Sequence, residues 1–236
     1  MIKIKYQINF LSEYHIGDGF SFAGIVDNAI IKDGKGRLII PGHTIKGIAR
    51  DALENLLSSY NVPCCNGTLE NGGKLCGVFP PEKSDEKCFI CQIFGSPFSK
   101  GNFYFTPAVY EDRYRDGIVK ANVKDLLLPS QFRISAHNKI DRETGRAAEK
   151  HLFTYQLGSS AEAFYGEITD IAHSSNEVEK DKCEVLLIAA LRLVRGIGGR
   201  RRKGWGRCTI EIIEPENWKE IIDERLKEVL KLNVTN

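Results

Sequence analysis

The sequence predicts an α+β protein of the ferredoxin-like class, a split βαβ arrangement carrying insertions. Three observations predict it. The first ten residues alternate apolar and polar side chains, as a half-buried strand does. A one-faced apolar helix follows a Pro-Gly turn at residue 41. The last third runs strand, apolar helix, glycine-rich loop, strand, amphipathic helix.

Taken in order, Ile2, Ile4, Tyr6, Ile8 and Phe10 mark the first strand. Residues 25–31 and 37–40 bracket Asp33-Gly-Lys-Gly36 and read as a hairpin. Pro41-Gly-His-Thr44 then opens a helix with Thr44 as N-cap. Its apolar stripe is Ile45, Ile48, Ala49, Ala52, Leu53, Leu56 and Leu57. Periodicity fails over 60–101, which is rich in Cys, Gly and Pro, and so long a structureless stretch inside a domain needs a cause. Residues 102–110 read as a strand, and 132–157 as an exposed hairpin about Asp141-Arg-Glu-Thr-Gly145. A strand at 164–171 precedes a polar, mobile stretch at 173–181 and an apolar helix at 183–194. Alternation returns at 205–213, and a last helix over 218–230 places Trp218, Ile221, Ile222, Leu226, Val229 and Leu230 on one face.

Length and composition fit one domain over residues 1–236, with insertions at about 60–101 and 132–157. The chain is 42% hydrophobic and 27% charged, with a net charge of only +2, so a nucleic-acid site has to be a local concentration of cations. The N-terminus lacks the apolar block of a signal peptide, and the longest apolar run, 185–191, is too short to span a bilayer. Seven cysteines, an odd number, favour thiols or metal ligands over disulfides. The expectation is a cytoplasmic protein with no membrane partner.

The most informative stretch is Gly196-Ile-Gly-Gly-Arg-Arg-Arg-Lys-Gly-Trp-Gly206. Glycine lets a backbone approach a ligand, and Arg offers a phosphate a bidentate fork. A nucleotide phosphate loop follows a strand and ends in Gly-Lys-Ser/Thr. This loop follows a helix, and Trp205 comes after Gly204. Gly198, Gly199, Arg200, Arg201, Arg202, Lys203 and Gly204 are therefore assigned to a polyanion, against the alternative of a solvated charged turn. The helix start at 41–50 makes a second anion site, where free amides and the helix dipole favour phosphate and Lys46 and Arg50 share one face. In the insertion, Cys88-x2-Cys91 is a knuckle that suits zinc, with Cys76 and either Cys65 or Cys64 completing a tetrahedral set. Such a site would order a segment without a core of its own. Cys183 and Cys208 fall in apolar elements and read as packing residues.

Four segments in this order resemble the RAMP superfamily of CRISPR-associated proteins, most of all the backbone subunits of type III effector complexes. They are His15-Ile-Gly-Asp-Gly19 with Gly24-Ile-Val-Asp27, Ile40-Pro-Gly-His-Thr-Ile-Lys-Gly47, Cys88-Phe-Ile-Cys-Gln-Ile-Phe-Gly95, and the loop at 196–206. Asp141-Arg-Glu-Thr-Gly145 adds to them, and the resemblance covers roughly residues 1–213. It implies an RRM-like fold that binds CRISPR guide RNA as a filament of repeated subunits, with other subunits of the complex as partners and guide-paired target RNA as substrate. One position departs from the family pattern: His43 stands where Ser is usual. That substitution removes the shared hydroxyl contact to phosphate, for which an imidazole N–H could stand in.

The resemblance also assigns roles. His15 approaches the guide backbone, and His43, Lys46 and Arg50 join it. The hairpin at 132–157, with Arg142 at its turn, becomes a thumb that inserts into the guide–target duplex, and the Cys-rich insertion becomes a zinc-knuckle-like lid. Asp27, which by its own neighbours reads equally as a turn or bulge residue, becomes the catalytic acid. An acid that places Mg²⁺ at the scissile phosphate lets the RNA 2′-hydroxyl attack in line. Asp18 and Asp33 are weaker candidates. Two other readings stand beside this one: a metal-independent endoribonuclease that processes repeat RNA, for which no His/Tyr pair is evident near the glycine loop, and a non-catalytic RNA scaffold.

Overall fold

In the computed structural model, residues 2–17, 19, 21, 26–65, 88–97, 100–110, 132–160, 163–171 and 177–231 are described. The elements are β1 (Lys3–Phe10), β2 (Ile39–Ile40), α1 (Gly42–Ser59), α2 (Phe89–Phe94), β3 (Phe103–Phe105), β4 (Ala108–Tyr110), β5 (Phe132–Ile140), β6 (Ala147–Gly158), β7 (Ala163–Asp170), α3 (Glu177–Leu193), β8 (Cys208–Glu214) and α4 (Trp218–Lys231).

The main sheet runs β2-β4-β7-β1-β8, and β3 also pairs with β7. Its pairings are antiparallel throughout. That order splits both βαβ units. β7 lies between β1 and β4, and β1 lies between β7 and β8, while α1 and α3 make the two crossovers. This is the ferredoxin-like plan the element order predicts.

Alternation decides which face is buried. Ile4, Tyr6, Ile8 and Phe10 of β1 pack with Phe164 and Ile168 of β7 and with Cys208, Ile210 and Ile212 of β8. Against them lie Ile45, Ala49, Leu53 and Leu57 of α1 and Leu186, Leu187, Ala190 and Leu191 of α3. The α4 helix closes over α3 with Val229 and Leu230 buried. Cys183 and Cys208 are buried as expected, and desolvation pushes the Cys208 thiol up to about 12. No helix is long and apolar enough to cross a membrane.

Four details correct the sequence reading. α1 begins at Gly42 behind Pro41, so Thr44 is inside the first turn, where its amide donates to the Pro41 carbonyl. Gly42 fits because a Cβ there would lie 2.1 Å from the Phe105 carbonyl oxygen. The expected strand over 102–110 is two short strands, since Pro107 interrupts it and Thr106 exchanges hydrogen bonds with Glu167 instead. Among the described residues, the hairpin expected over 25–31 and 37–40 closes around its turn by one isolated bridge, Lys32 with Leu38, and its arms pair onward with other segments. Of residues 173–181, read as mobile, 173–176 lie outside the described residues and 177–181 open α3, tied down by Lys180 to Asp170 and by Asp181 to Arg225.

Candidate nucleic-acid interface and cysteine cluster

The segment after β1, residues 11–17, is held on both sides. On one side lies the glycine loop. The Leu11 amide donates to Arg207, the Gly206 amide to Glu13, and the Gly199 amide to His15. On the other side lie the end of β6 and the segment before β2. Tyr14 and Gly158 exchange both backbone bonds, and the Ile31 amide donates to Ile16. A long-range seam therefore joins three regions far apart in the chain.

The glycine loop is anchored at its base and open at its tip. Ile197 is fully buried, and its amide bonds the Gly206 carbonyl at 2.8 Å. Gly198 and Gly206 have positive φ, and a Cβ on either would strike a carbonyl oxygen, that of His15 at 2.4 Å or of Ile197 at 2.0 Å. These two glycines are required by close backbone approach. Arg200 adopts a left-handed conformation, Arg201–Lys203 form one 3₁₀ turn, and left-handed Gly204 ends it. All four cations are exposed.

Arg200 does not simply wave in solvent. Its guanidinium lies 4.3 Å from the centroid of the Tyr155 ring and donates to the Tyr155 hydroxyl. Around Tyr155 gather His15 at 5.4 Å, His137 at 5.7 Å and Trp205 at 5.7 Å between ring centroids. His15 is buried, with Nδ1 2.9 Å from the Gln156 carbonyl, which makes that nitrogen the protonated one. Sequence reasoning singled out His15 and Arg200, passed over Tyr155, and did not join His137 of the hairpin or Trp205 of the loop to them. It also found no His/Tyr pair near the loop, and the structure supplies one. A β-hairpin's register with a distant loop has no local signal.

Asp27 comes to the same hairpin, one residue earlier. Its Oδ2 accepts the Thr154 amide at 2.7 Å and the Thr154 hydroxyl at 2.9 Å, and its own amide donates to that hydroxyl at 2.9 Å. Thr154's amide and then its hydroxyl hold the Asp27 carboxyl below the usual aspartate range. The carboxylate is exposed, and among the described residues nothing bonds Oδ1. One presented oxygen suits Mg²⁺, which keeps several waters and completes its shell with phosphate oxygens. Asp33, by contrast, is spent on its own turn, accepting from the Lys35 and Arg37 amides and the Arg37 guanidinium. Asp18 and Gly24 lie outside the described residues.

The hairpin is fastened at its base by Arg133, which bonds both carboxylate oxygens of Glu13 and holds that acid below its ordinary range. Lys32 adds a contact 4.1 Å from the centroid of the Phe132 ring. Beyond the base, Ile134, Ile140, Leu152 and Phe153 are exposed. Arg142 sits exposed in the turn, which Asp141 caps through the Glu143 and Thr144 amides.

The start of α1 is a separate matter. His43 is exposed and Lys46 half-buried. Arg50 is engaged within the chain, with Nε 2.8 Å from Glu54 and Nη1 3.3 Å from the Gly95 carbonyl, so it ties α1 to α2. The face of α1 that meets the glycine loop is the opposite flank. Ile48, Ala52 and Leu56 share a groove of about 950 Å³ with Arg201, Gly204 and Trp205.

Three cysteines form a cluster. Cys65 Sγ lies 3.1 Å from Cys91 Sγ and 3.6 Å from Cys88 Sγ, and all three sulfurs fall within 4.8 Å of one another. Tetrahedral zinc thiolates stand about 3.8 Å apart, so the set fits such an ion after a small outward shift. Burial, reinforced by Cys65, pushes the Cys91 thiol well above its usual range, so a cation is what would favour its thiolate. Half-buried Cys64 adjoins the cluster, and Cys76 lies outside the described residues.

The family model for the RAMP superfamily matches residues 7–209, from within β1 to within β8. The chain belongs to the RAMP superfamily. This RAMP chain is also 26% identical over 211 residues to the CRISPR system Cms endoribonuclease Csm3 of Methanocaldococcus jannaschii, covering 87% of this chain and 77% of that protein. The stretch that the family model matches, residues 7–209, contains the seam, the hairpin and the cysteine cluster and leaves α4 outside.

Proposed function

We propose that this chain is a guide-RNA-binding backbone subunit of a cytoplasmic type III CRISPR effector complex, and that it cleaves guide-paired target RNA. One observation carries the reading. Two consecutive residues of β6 hold the acid and a cation of the proposed site, Thr154 bonding Asp27 and Tyr155 taking Arg200. The similarity to a CRISPR endoribonuclease supports it.

In this reading Arg200, Arg201, Arg202 and Lys203 follow the guide backbone, and Gly198, Gly199 and Gly204 shape the loop that lets it approach. His43, Lys46 and Arg142 extend that track, Arg50 braces the start of α1 against α2, and His15 fixes the loop from below. Base pairing reads the sequence, so the protein need recognise only backbone and shape. The hairpin, with its exposed Ile140, Leu152 and Phe153, inserts into the duplex beside Asp27. Mg²⁺ at the Asp27 carboxylate would stabilise the charge that develops at the scissile phosphate as the 2′-hydroxyl attacks. A structural zinc held by Cys65, Cys88 and Cys91, with Cys64 or Cys76 as fourth ligand, would fasten the Cys-rich lid. Copies of the chain and other subunits along one guide RNA are the partners.

The test is Asp27→Ala in the assembled complex. Mg²⁺-dependent target cutting should fall at least about a hundredfold while guide and target affinity stay within twofold, because the acid acts on the transition state and the cations supply affinity. Products should carry a 2′,3′-cyclic phosphate. Loss of guide binding together with cleavage would make Asp27 a structural turn residue.

A specific observation favours a second reading. His15, His137 and Tyr155 meet beside the cation loop, and such a set can serve acid–base cleavage without metal. Cleavage of repeat RNA in EDTA that His137→Ala abolishes would select that reading over the first.

A further inference from the structure

Thr154 is joined to Asp27 by more than the pairing of two strands. The backbone already splices the segment to the hairpin. The Asn28 amide donates to the Thr154 carbonyl at 3.1 Å, and the Gln156 amide to Asn28 at 3.0 Å. The Ile30 amide reaches the Gln156 side-chain oxygen at 3.0 Å. The Thr154 hydroxyl adds nothing to that splice beyond Asp27 itself. It accepts the Asp27 amide and donates its one proton to Oδ2, both at 2.9 Å. Its donor is then used, and one of its two acceptor positions is filled.

We infer that Thr154 is a positioning residue for Asp27, locking Oδ2 so that Oδ1 stays presented for the divalent cation. The inference rests on the proposed role of Asp27 in metal-dependent cleavage. A free carboxylate turns about a broad, nearly two-fold terminal torsion. Two donors on the same oxygen, amide and hydroxyl, select one orientation and leave the other oxygen outward. Because these donors belong to β6, the orientation is referenced to the hairpin that enters the duplex and not to the acid's own loop. The acid thus moves with the element that seats the substrate.

Thr154→Val keeps the β-branched shape and the backbone bonds and removes only the hydroxyl. Thr154→Ser keeps the hydroxyl. Both are compared with wild type and Asp27→Ala in assembled complexes, by cleavage of paired target over a Mg²⁺ series. A second readout is Mn²⁺ affinity by water-proton relaxation, with a target 2′-deoxy at the scissile nucleotide. The Asp27 site is the difference between wild type and Asp27→Ala. Thr154→Val should lose about tenfold in kcat, the scale of one charge-assisted hydrogen bond, with KM unchanged. Its Mg²⁺ midpoint should rise severalfold, Mn²⁺ at the Asp27 site should weaken by a similar factor, and Thr154→Ser should restore all three. Wild-type kcat and Mn²⁺ affinity in Thr154→Val, or a rise in KM alone, would overturn the positioning role while leaving Asp27 in place. Full cutting by Asp27→Ala would instead remove the acid's own role, and the inference with it.

Discussion

Glycines of one loop differ in what they tolerate, and the difference shows which part of the loop is frame and which is ligand surface. Gly198 has φ +97°, and a Cβ there would lie 2.4 Å from the His15 carbonyl oxygen, the atom that also receives the Gly199 amide. Gly204 has φ +87°, but a Cβ there meets nothing within 4 Å. Gly204→Ala should therefore cost only its left-handed backbone, about 1 kcal/mol. Gly198→Ala has to displace the seam as well and should cost at least about twice that by urea unfolding. Equal costs at the two positions would mean that the seam yields freely. His15 belongs to the same frame, since its ring is buried and its carbonyl is the bracket on which the loop hangs.

At the scale of elements, the four cations of the loop divide into two kinds. Arg200 is docked on Tyr155, whereas Arg201, Arg202 and Lys203 project from a short exposed turn. Replacing Arg201 and Arg202 with Ala should leave the unfolding midpoint unchanged. It should flatten the log–log salt dependence of single-stranded RNA binding by about 0.7 for each lost phosphate contact. Adding Arg200→Ala should weaken binding further and also loosen the hairpin, seen as faster amide exchange in β6. An unchanged salt slope in the folded double variant would remove this turn from the RNA contact. The hairpin's place as an element was readable from the turn at 141–145 and its polar arms. Its partners were not, because Arg133 with Glu13 and Tyr155 with Arg200 join residues separated by 120 and 45 positions.

For the molecule as a whole, the cysteine cluster links the chain just after α1 to the start of α2, which packs on both α1 and α3. A metal there would close the loop of the insertion onto the helical layer while leaving the sheet untouched. The purified protein should hold about one zinc per chain. Cys88→Ser should lose it and make residues 66–87 sensitive to limited proteolysis, with the far-ultraviolet signature of the sheet retained. Metal-free protein with a protected insertion would defeat the zinc site.

By itself the sequence determined the class of the fold, the buried face of each main element and the location of the cation loop. Those properties follow from short periods, two for Ile4, Tyr6, Ile8 and Phe10 and near four for Ile45, Ala49 and Leu53, which any chain carries locally. It also marked Asp27 and the cysteine knuckle as chemistry, though Asp27 only through resemblance. Tertiary structure alone decided that Asp27 and Arg200 meet adjacent residues of one strand, and that Arg50 turns to Gly95 away from the glycine loop. The physical reason is that a hairpin's register and a loop's left-handed turns are set by contacts made after the chain has collapsed. Thr154 and Tyr155 look like any two strand residues until Asp27 and Arg200 are brought beside them.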